Sequence, residues 1–163
     1  MFRRALLILF VISSVFLLIS CEGASSVRQG TWLKYKQTYL EDSRLKELST
    51  RVRVTSCEYT EGIGDEILVR VNYSFENASP KALRVSWEDK FIEDQFGALH
   101  ESFDGSNAED VGPDQTLTGL YSRHRIPRSA IRDVGLDRLK WGRAVEGEPG
   151  LVYRVRLKPV VAQ

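Results

Sequence analysis

The sequence predicts an all-β protein, an immunoglobulin-like antiparallel β-sandwich of about seven strands occupying residues 51–159. Three observations predict it. Between Glu66 and Asn77, Ile67, Val69, Val71, Tyr73 and Phe75 recur at every second position, with Arg70, Asn72, Ser74 and Glu76 in the gaps. A period of two places the first set on one face of a strand and the second set on the other. Shorter alternating segments flank this one, with turn residues every ten or so positions, and a stretch of about 110 residues suits one such sandwich.

The elements follow in order. Met1–Arg4 is basic, and Ala5–Ile19 is an apolar run broken only by Ser13 and Ser14. Fifteen residues fall short of the ~20 that a membrane-spanning helix needs and fit the apolar region of a signal peptide. Leu18-Ile19-Ser20-Cys21 ends the run. This tetrapeptide resembles the lipobox of bacterial lipoproteins. The resemblance implies a signal peptide over residues 1–20, cleavage before Cys21, and a diacylglycerol on its thiol that holds the chain on a membrane. Glu22 stands where aspartate would retain a lipoprotein in the inner membrane, so the expected place is the outer membrane, facing the periplasm, in a cell that has two membranes. Residues 21–50 are then the lipidated N-terminus, a tether over Glu22–Gly30 and a pre-domain segment. Trp32, Tyr35 and Tyr39, with Leu45 and Leu48, have helical spacing. One or two short helices are expected there, although Leu33, Tyr35, Gln37 and Tyr39 also alternate as a strand would.

Arg51–Val54 begins the sandwich. The alternation shifts at Thr55-Ser56, so Cys57 and Tyr59 face inward only if a bulge intervenes. Glu61–Asp65 is a glycine-rich hairpin, and Asn77-Ala78-Ser79-Pro80 ends the strand that follows. Leu83, Val85 and Trp87 alternate, and Phe91 continues their parity. Asp94–Gly97 is a turn, Ala98–Ser102 starts a return strand, and Asp104–Asp114 is a long polar loop. Thr116–Ile126 is a strand closed by Pro127, Ser129–Asp133 a helical turn, Leu136–Trp141 a strand, and Leu151–Leu157 the last strand. Residues 160–163 form a tail.

Three of these segments resemble the telokin-like immunoglobulin domains of secreted bacterial lipoproteins, a family of mostly unknown function. They are Val69–Asn77, Phe91–Gly97 with its Asp-x-x-Gly pattern, and Val111–Thr116 followed by Gly119 and Ile126-Pro127. Asp114 stands where that family usually has glycine. The resemblance implies no catalytic residues.

Composition bounds the function. Loss of Arg3 and Arg4 with the leader takes the net charge from +1 to −1, 21 basic against 22 acidic residues. A near-neutral chain has no electrostatic case for nucleic acid. The charge is segregated: residues 57–118 carry 14 acids and 4 bases, whereas residues 119–163 carry 10 bases and 4 acids. Cross-strand pairing is the expected outcome. The sharper one is a basic face of Arg123, Arg125, Arg128, Arg132, Arg138, Lys140 and Arg143 turned toward an anionic partner. Asp104, Asn107, Glu109, Asp110 and Asp114, with Glu101 nearby, supply oxygens of the kind calcium takes. Ala108 breaks the spacing of a calcium loop, so a solvated loop is expected.

No nucleophile, metal or phosphate-loop motif occurs, and none implies a cofactor. Cys57 has no second cysteine with which to staple the sheets, and it is expected as a buried or half-buried strand residue, with His100 and His124 as unrelated surface histidines. The expected function is therefore non-catalytic. It is that of a lipid-anchored envelope protein serving as an interaction or structural module, with an envelope protein as partner. The alternative is a small-ligand or metal-ion binder using the 104–114 loop or the 123–143 face. Because burial of apolar side chains must hold the sheets together, Val71→Asp should destabilise the domain by several kcal/mol, on the order of 4. Unaltered thermal melting of that variant would show that the inward face had been misassigned.

Overall fold

The computed structural model describes residues 26–131, 135–145 and 149–163. The leader, Cys21 and Arg132 lie outside the described residues. Twelve strands are described: β1 (Ser26–Arg28), β2 (Leu33–Glu41), β3 (Arg44–Glu61), β4 (Glu66–Asn77), β5 (Leu83–Val85), β6 (Lys90–Glu93), β7 (Leu99–Gly105), β8 (Glu109–Val111), β9 (Thr116–Pro127), β10 (Lys140–Arg143), β11 (Arg154–Arg156) and β12 (Val160–Val161). The all-β sandwich is as expected, with more strands than seven. Two pairings, β1 with β11 and β12 with β3, are parallel.

Ten strands form one continuous sheet that folds over on itself. Its order is β1-β11-β10-β6-β7-β9-β4-β3-β12, with β2 also on β3. The fold-over lies at β7, whose first half pairs with β6 and whose second half pairs with β9. At the other side, both ends of the described residues cross between the layers. The Gly30 N–H donates to the Val54 carbonyl of β3 at 2.8 Å just after β1 leaves β11, and β12 joins β3 four residues after β11 ends. β5 and β8 make a separate two-stranded sheet.

The segment 31–49 is extended, not helical. β2 pairs with β3 from Leu33↔Val52 to Glu41↔Arg44, through a tight turn with positive φ at Asp42 and Ser43. This is the backbone twist that two-residue hairpins favour. Leu33 is buried in the core and Tyr35 packs against it, so the alternation of Leu33 and Tyr35 decides over the helical spacing of Trp32, Tyr35 and Tyr39. The expected tether is shorter too, since Ser26–Arg28 is already a strand. The loop expected over Asp104–Asp114 contains the end of β7 and all of β8, and the tail contains β12. Leu136–Arg138 is a 3₁₀ turn ahead of β10, and only Arg154–Arg156 of the expected last strand is regular.

The inward face of β4 is as expected: Ile67, Val69, Val71, Tyr73 and Phe75 are all buried. They meet Val52, Val54, Cys57, Leu120 and Ile126 from neighbouring strands, and Ile92, Trp141 and Val155 from the opposite layer. Trp141 is wholly buried at the centre, with its ring 4.8 Å from Tyr73 and 6.0 Å from Tyr153; Tyr153 continues to Tyr35 at 4.8 Å. Tilted pairs at such spacing contribute ~0.5–1.5 kcal/mol each beyond area burial. Gly142 beside Trp141 is required, because a Cβ there would lie 1.9 Å from the Tyr153 carbonyl oxygen.

Two polar side chains fix the turns. Asn77, fully buried, donates from Nδ2 to the carbonyls of Lys81 (2.7 Å), Val111 (2.8 Å) and Gly112 (3.1 Å), and its Oδ1 accepts from the N–H and hydroxyl of Ser79. Asp94 Oδ1 accepts from the N–H groups of Phe96 (2.8 Å) and Ala98 (3.0 Å), and Oδ2 from His100 Nε2 (2.9 Å). Burial alone would raise the Asp94 pKa, but the bonds from His100, Phe96 and Ala98 outweigh it and hold the carboxyl below its ordinary value. Asn77→Ala would leave buried carbonyls without donors, so urea unfolding should show a loss of about 3 kcal/mol at unchanged m. Asn77→Asp, which turns a carboxylate toward those carbonyls, should be at least as damaging. A loss smaller than that of Asn77→Ala would contradict this geometry.

Candidate functional site

A strand can present a residue to solvent or to the core, and a single extra residue reverses that choice. Three such residues shape this sheet. Thr55 is extra in β3, between Val54↔Tyr73 and Ser56↔Asn72, and its hydroxyl donates to the Asn72 carbonyl at 3.1 Å. It turns Cys57 inward, as the alternation required. In β9 the extra residue falls between Leu117 and Leu120, where Gly119 has φ +74°. In β7, Ser102 opposes His124 and Asp104 opposes Arg123, so Phe103 is extra.

The bulge at Phe103 turns an aromatic ring outward at 37% exposure. There it helps line a concavity of about 740 Å³ on the outer face of β3, β4 and β9. Leu68 and Arg70 come from β4, Arg123 and Arg125 from β9, Glu58 and Thr60 from β3, and Ile63 from the hairpin between β3 and β4. The Arg125 guanidinium lies 4.4 Å from the Phe103 ring centroid, and Arg70 lies 4.2 Å from that of Tyr121. Arg70 Nε donates to Asn72 Oδ1 at 3.0 Å, and Asn72 Nδ2 donates to Ser56 Oγ at 2.8 Å. Arginines stacked on rings keep their charge while their planar faces are fixed. The surface thus offers fixed cations, with the carboxylates of Glu58 and Glu66 among them, around Leu68, Phe103 and the highly exposed Ile63.

Arg123, although it lines this concavity, pairs with Asp104 at 3.0 Å. The other residues of the expected basic face are not gathered with these, and Arg128 pairs with Glu61. Lys140 and Arg154 both donate to Glu93 at 2.8 Å. Burial alone would raise the Glu93 pKa, but these two cations outweigh it and hold the carboxyl below its ordinary value. Arg143 Nε donates to Asp89 at 2.6 Å, and its guanidinium to the Tyr35 hydroxyl at 3.3 Å. Asp89 also pairs with buried Lys90, which in addition donates to the Ser86 carbonyl at 2.8 Å. Desolvation lowers the Lys90 pKa, with Asp89 opposing it. Arg138 instead lines a second concavity with Arg28, Arg156 and Lys158. Pairing between neighbouring strands and loops thus takes up part of the segregated charge.

The acidic residues are also dispersed. Asp104 sits on β7 with Arg123, Glu109 and Asp110 lie on β8, and Asp110 reaches Arg84 at 3.5 Å. Asp114 caps a turn with φ +57°, which explains why glycine suits that position. Among the described residues no three His, Cys, Asp or Glu side chains converge as metal ligands.

Three groups with nucleophile or base chemistry, Cys57, Ser122 and His124, are buried. Cys57 faces the core, and desolvation, with Glu58 adding, pushes its thiol up to about 12. His124 is not the surface residue expected: it lies fully buried, because Ser122 and the His100 carbonyl satisfy its two ring nitrogens inside the core. Its Nδ1–H donates to that carbonyl (3.2 Å), so Nε2 accepts from the Ser122 hydroxyl (2.9 Å), whose oxygen accepts Trp141 Nε1–H (3.0 Å). One tautomer satisfies the whole chain.

No family profile matches this chain, and no curated relative matches it. Solved structures do. The candidate lipoprotein ycdA of Bacillus subtilis aligns over 75% of this chain and 39% of its own at 13% identity and a TM-score of 0.47, so this chain spans about two fifths of that protein. The yjhA protein of Bacillus subtilis aligns over 81% and 99% at 12% identity and 0.49, and an uncharacterized β-sandwich protein of Clostridium difficile over 83% and 95% at 10% and 0.46. At such identities and scores these likenesses carry no argument about activity.

The buried imidazole makes stability pH-dependent. Desolvation lowers the His124 pKa from 6.5 to about 4, only partly offset by backbone hydrogen bonds. Between those values the unfolded chain binds the proton and the folded one does not, so stability rises with pH. Urea unfolding should lose about 3 kcal/mol from pH 7 to pH 4 through this group. A flat profile over that window would contradict a neutral, core-facing imidazole.

Proposed function

We propose that this chain is a lipid-anchored, non-catalytic protein of the cell envelope, whose sandwich docks another envelope protein on the outer face of β3, β4 and β9. The observation that carries the docking role is the bulge at Phe103. It turns a ring out of the sheet into a concavity where Arg70, Arg123 and Arg125 surround Leu68 and Phe103. A partner bringing carboxylates around an apolar side chain fits this surface, since arginine and aromatic anchors dominate protein interfaces. Burial of Cys57, Ser122 and His124 supports a binding role over a catalytic one.

The anchor rests on the apolar run ending in Leu18-Ile19-Ser20-Cys21. Two or more acyl chains at ~0.8 kcal/mol per buried CH₂ hold a protein stably on a bilayer. β1 starts five residues after Cys21, so the domain would sit close to the lipid surface rather than on a long tether. Within this proposal the sandwich is a telokin-like immunoglobulin domain in an outer membrane facing the periplasm. The turn chemistry of Asn77 and Asp94 supports that kinship.

Cell fractionation tests both parts. The wild type should be found with membranes, and Cys21→Ser should leave them without losing its fold; a Cys21→Ser chain processed and membrane-bound like wild type would rule out the lipid. In the lipidated chain, Phe103→Asp combined with Arg125→Glu should abolish crosslinks to a partner at unchanged melting. Crosslinks that survive this change would exclude the face.

A further inference from the structure

Arg28, Arg138, Arg156 and Lys158 meet at a concavity of about 850 Å³ on the other layer of the sandwich. They come from β1, the 3₁₀ turn before β10, β11 and the segment after β11. Asp137 is the one acid among its lining residues, leaving three excess positive charges, four bases against one acid. No ion pair is formed by any of the four cations among the described residues, whereas Lys140 and Arg154 nearby are both held by Glu93. Gln29 holds the floor in place, its side-chain oxygen accepting the Lys158 N–H at 3.0 Å.

The register makes this costly. Arg28 lies directly opposite Arg156 in the parallel pair β1–β11. Neighbouring strands are about 4.8 Å apart, and like charges directly opposite destabilise a sheet. An anion between the two guanidiniums turns that cost into attraction. Paired guanidiniums suit phosphate, because each presents two N–H donors to two oxygens.

Position says which phosphate. Arg28 is seven residues beyond Cys21, so at full extension it stands at most about 25 Å from the anchoring sulfur. Headgroups fill the outer several ångströms of a bilayer. We propose that Arg28, Arg138, Arg156 and Lys158 form a binding site for the phosphate of an anionic phospholipid headgroup, which seats the sandwich on its own membrane. The source of the phosphate rests on the anchored reading, while the cation cluster does not.

The test uses the unlipidated chain 22–163, which keeps every core residue from Leu33 to Leu157. It should sediment with vesicles of phosphatidylcholine mixed with phosphatidylglycerol, not with phosphatidylcholine alone, and added salt should release it. Arg28→Gln with Arg156→Gln should weaken vesicle binding roughly thirty-fold, taking ~1 kcal/mol per lost cation. The same double variant should melt no lower than wild type, because it removes a repulsion. Equal binding to both kinds of vesicle would overturn the proposal, as would an undiminished double variant. A chain that ignores vesicles but gains thermal stability from millimolar inorganic phosphate would overturn it in favour of a free anion. These outcomes are independent of Cys21, whose fractionation test decides the anchor by itself.

Discussion

Face parity along the strands is the constraint on which the rest of this molecule depends. In a sheet with one buried layer, every residue is committed to core or solvent by its neighbour's choice. β3 is eighteen residues long and would carry Cys57 and Tyr59 to the wrong side if it were regular. The extra Thr55 corrects this, so that Val52 and Val54 before it and Cys57 after it all reach the core. The bulge in β9 does the same for Leu117 and Leu120. The bulge in β7 acts in reverse, since it spends its extra residue on turning Phe103 out. The same device that completes the core in two strands opens a surface in the third.

With no disulfide among the described residues, cohesion comes from burial and from polar groups satisfied inside. The Trp141–Ser122–His124 chain joins β10 to β9, across the point where the sheet folds over, and continues to the β7 carbonyl of His100. At one end of the sandwich, Lys90, Asp89, Arg143 and Tyr35 tie β6 and β10 to β2. Buried ion pairs of this kind add little net stability, but loss of one partner strands a charge. They therefore fix which residues face one another more than they hold the layers together.

The charge pattern along the chain takes a different meaning in three dimensions. Strands of the acidic stretch 57–118 lie beside strands of the basic stretch 119–163, and pairs such as Asp104–Arg123, Glu93–Lys140 and Asp89–Arg143 cancel part of the asymmetry. What remains is local. On one layer it is a set of arginines braced on aromatic rings, and on the other a cluster with a single acid among four bases. The two lie on opposite layers of the sandwich.

The sequence by itself determined the all-β class, the inward face of β4, the need for a bulge at Thr55, and the turns at Asn77 and Asp94. These rest on period-two alternation and on side chains that bond within a few residues, both local properties. It also holds the tetrapeptide Leu18-Ile19-Ser20-Cys21 on which the proposed anchor rests, a linear motif. It misjudged residues 31–49, because Trp32, Tyr35 and Tyr39 satisfy helical spacing while Leu33 and Tyr35 satisfy a strand. Pairing with β3 over nine residues settled that choice. Only the tertiary structure placed Phe103 outside, since a bulge is counted against a partner strand and the partner, β9, lies in another part of the chain. Only the tertiary structure likewise brought Arg28 opposite Arg156, 128 positions later: strand pairing depends on which edge remains open once the sheet has folded over, and no local pattern encodes that.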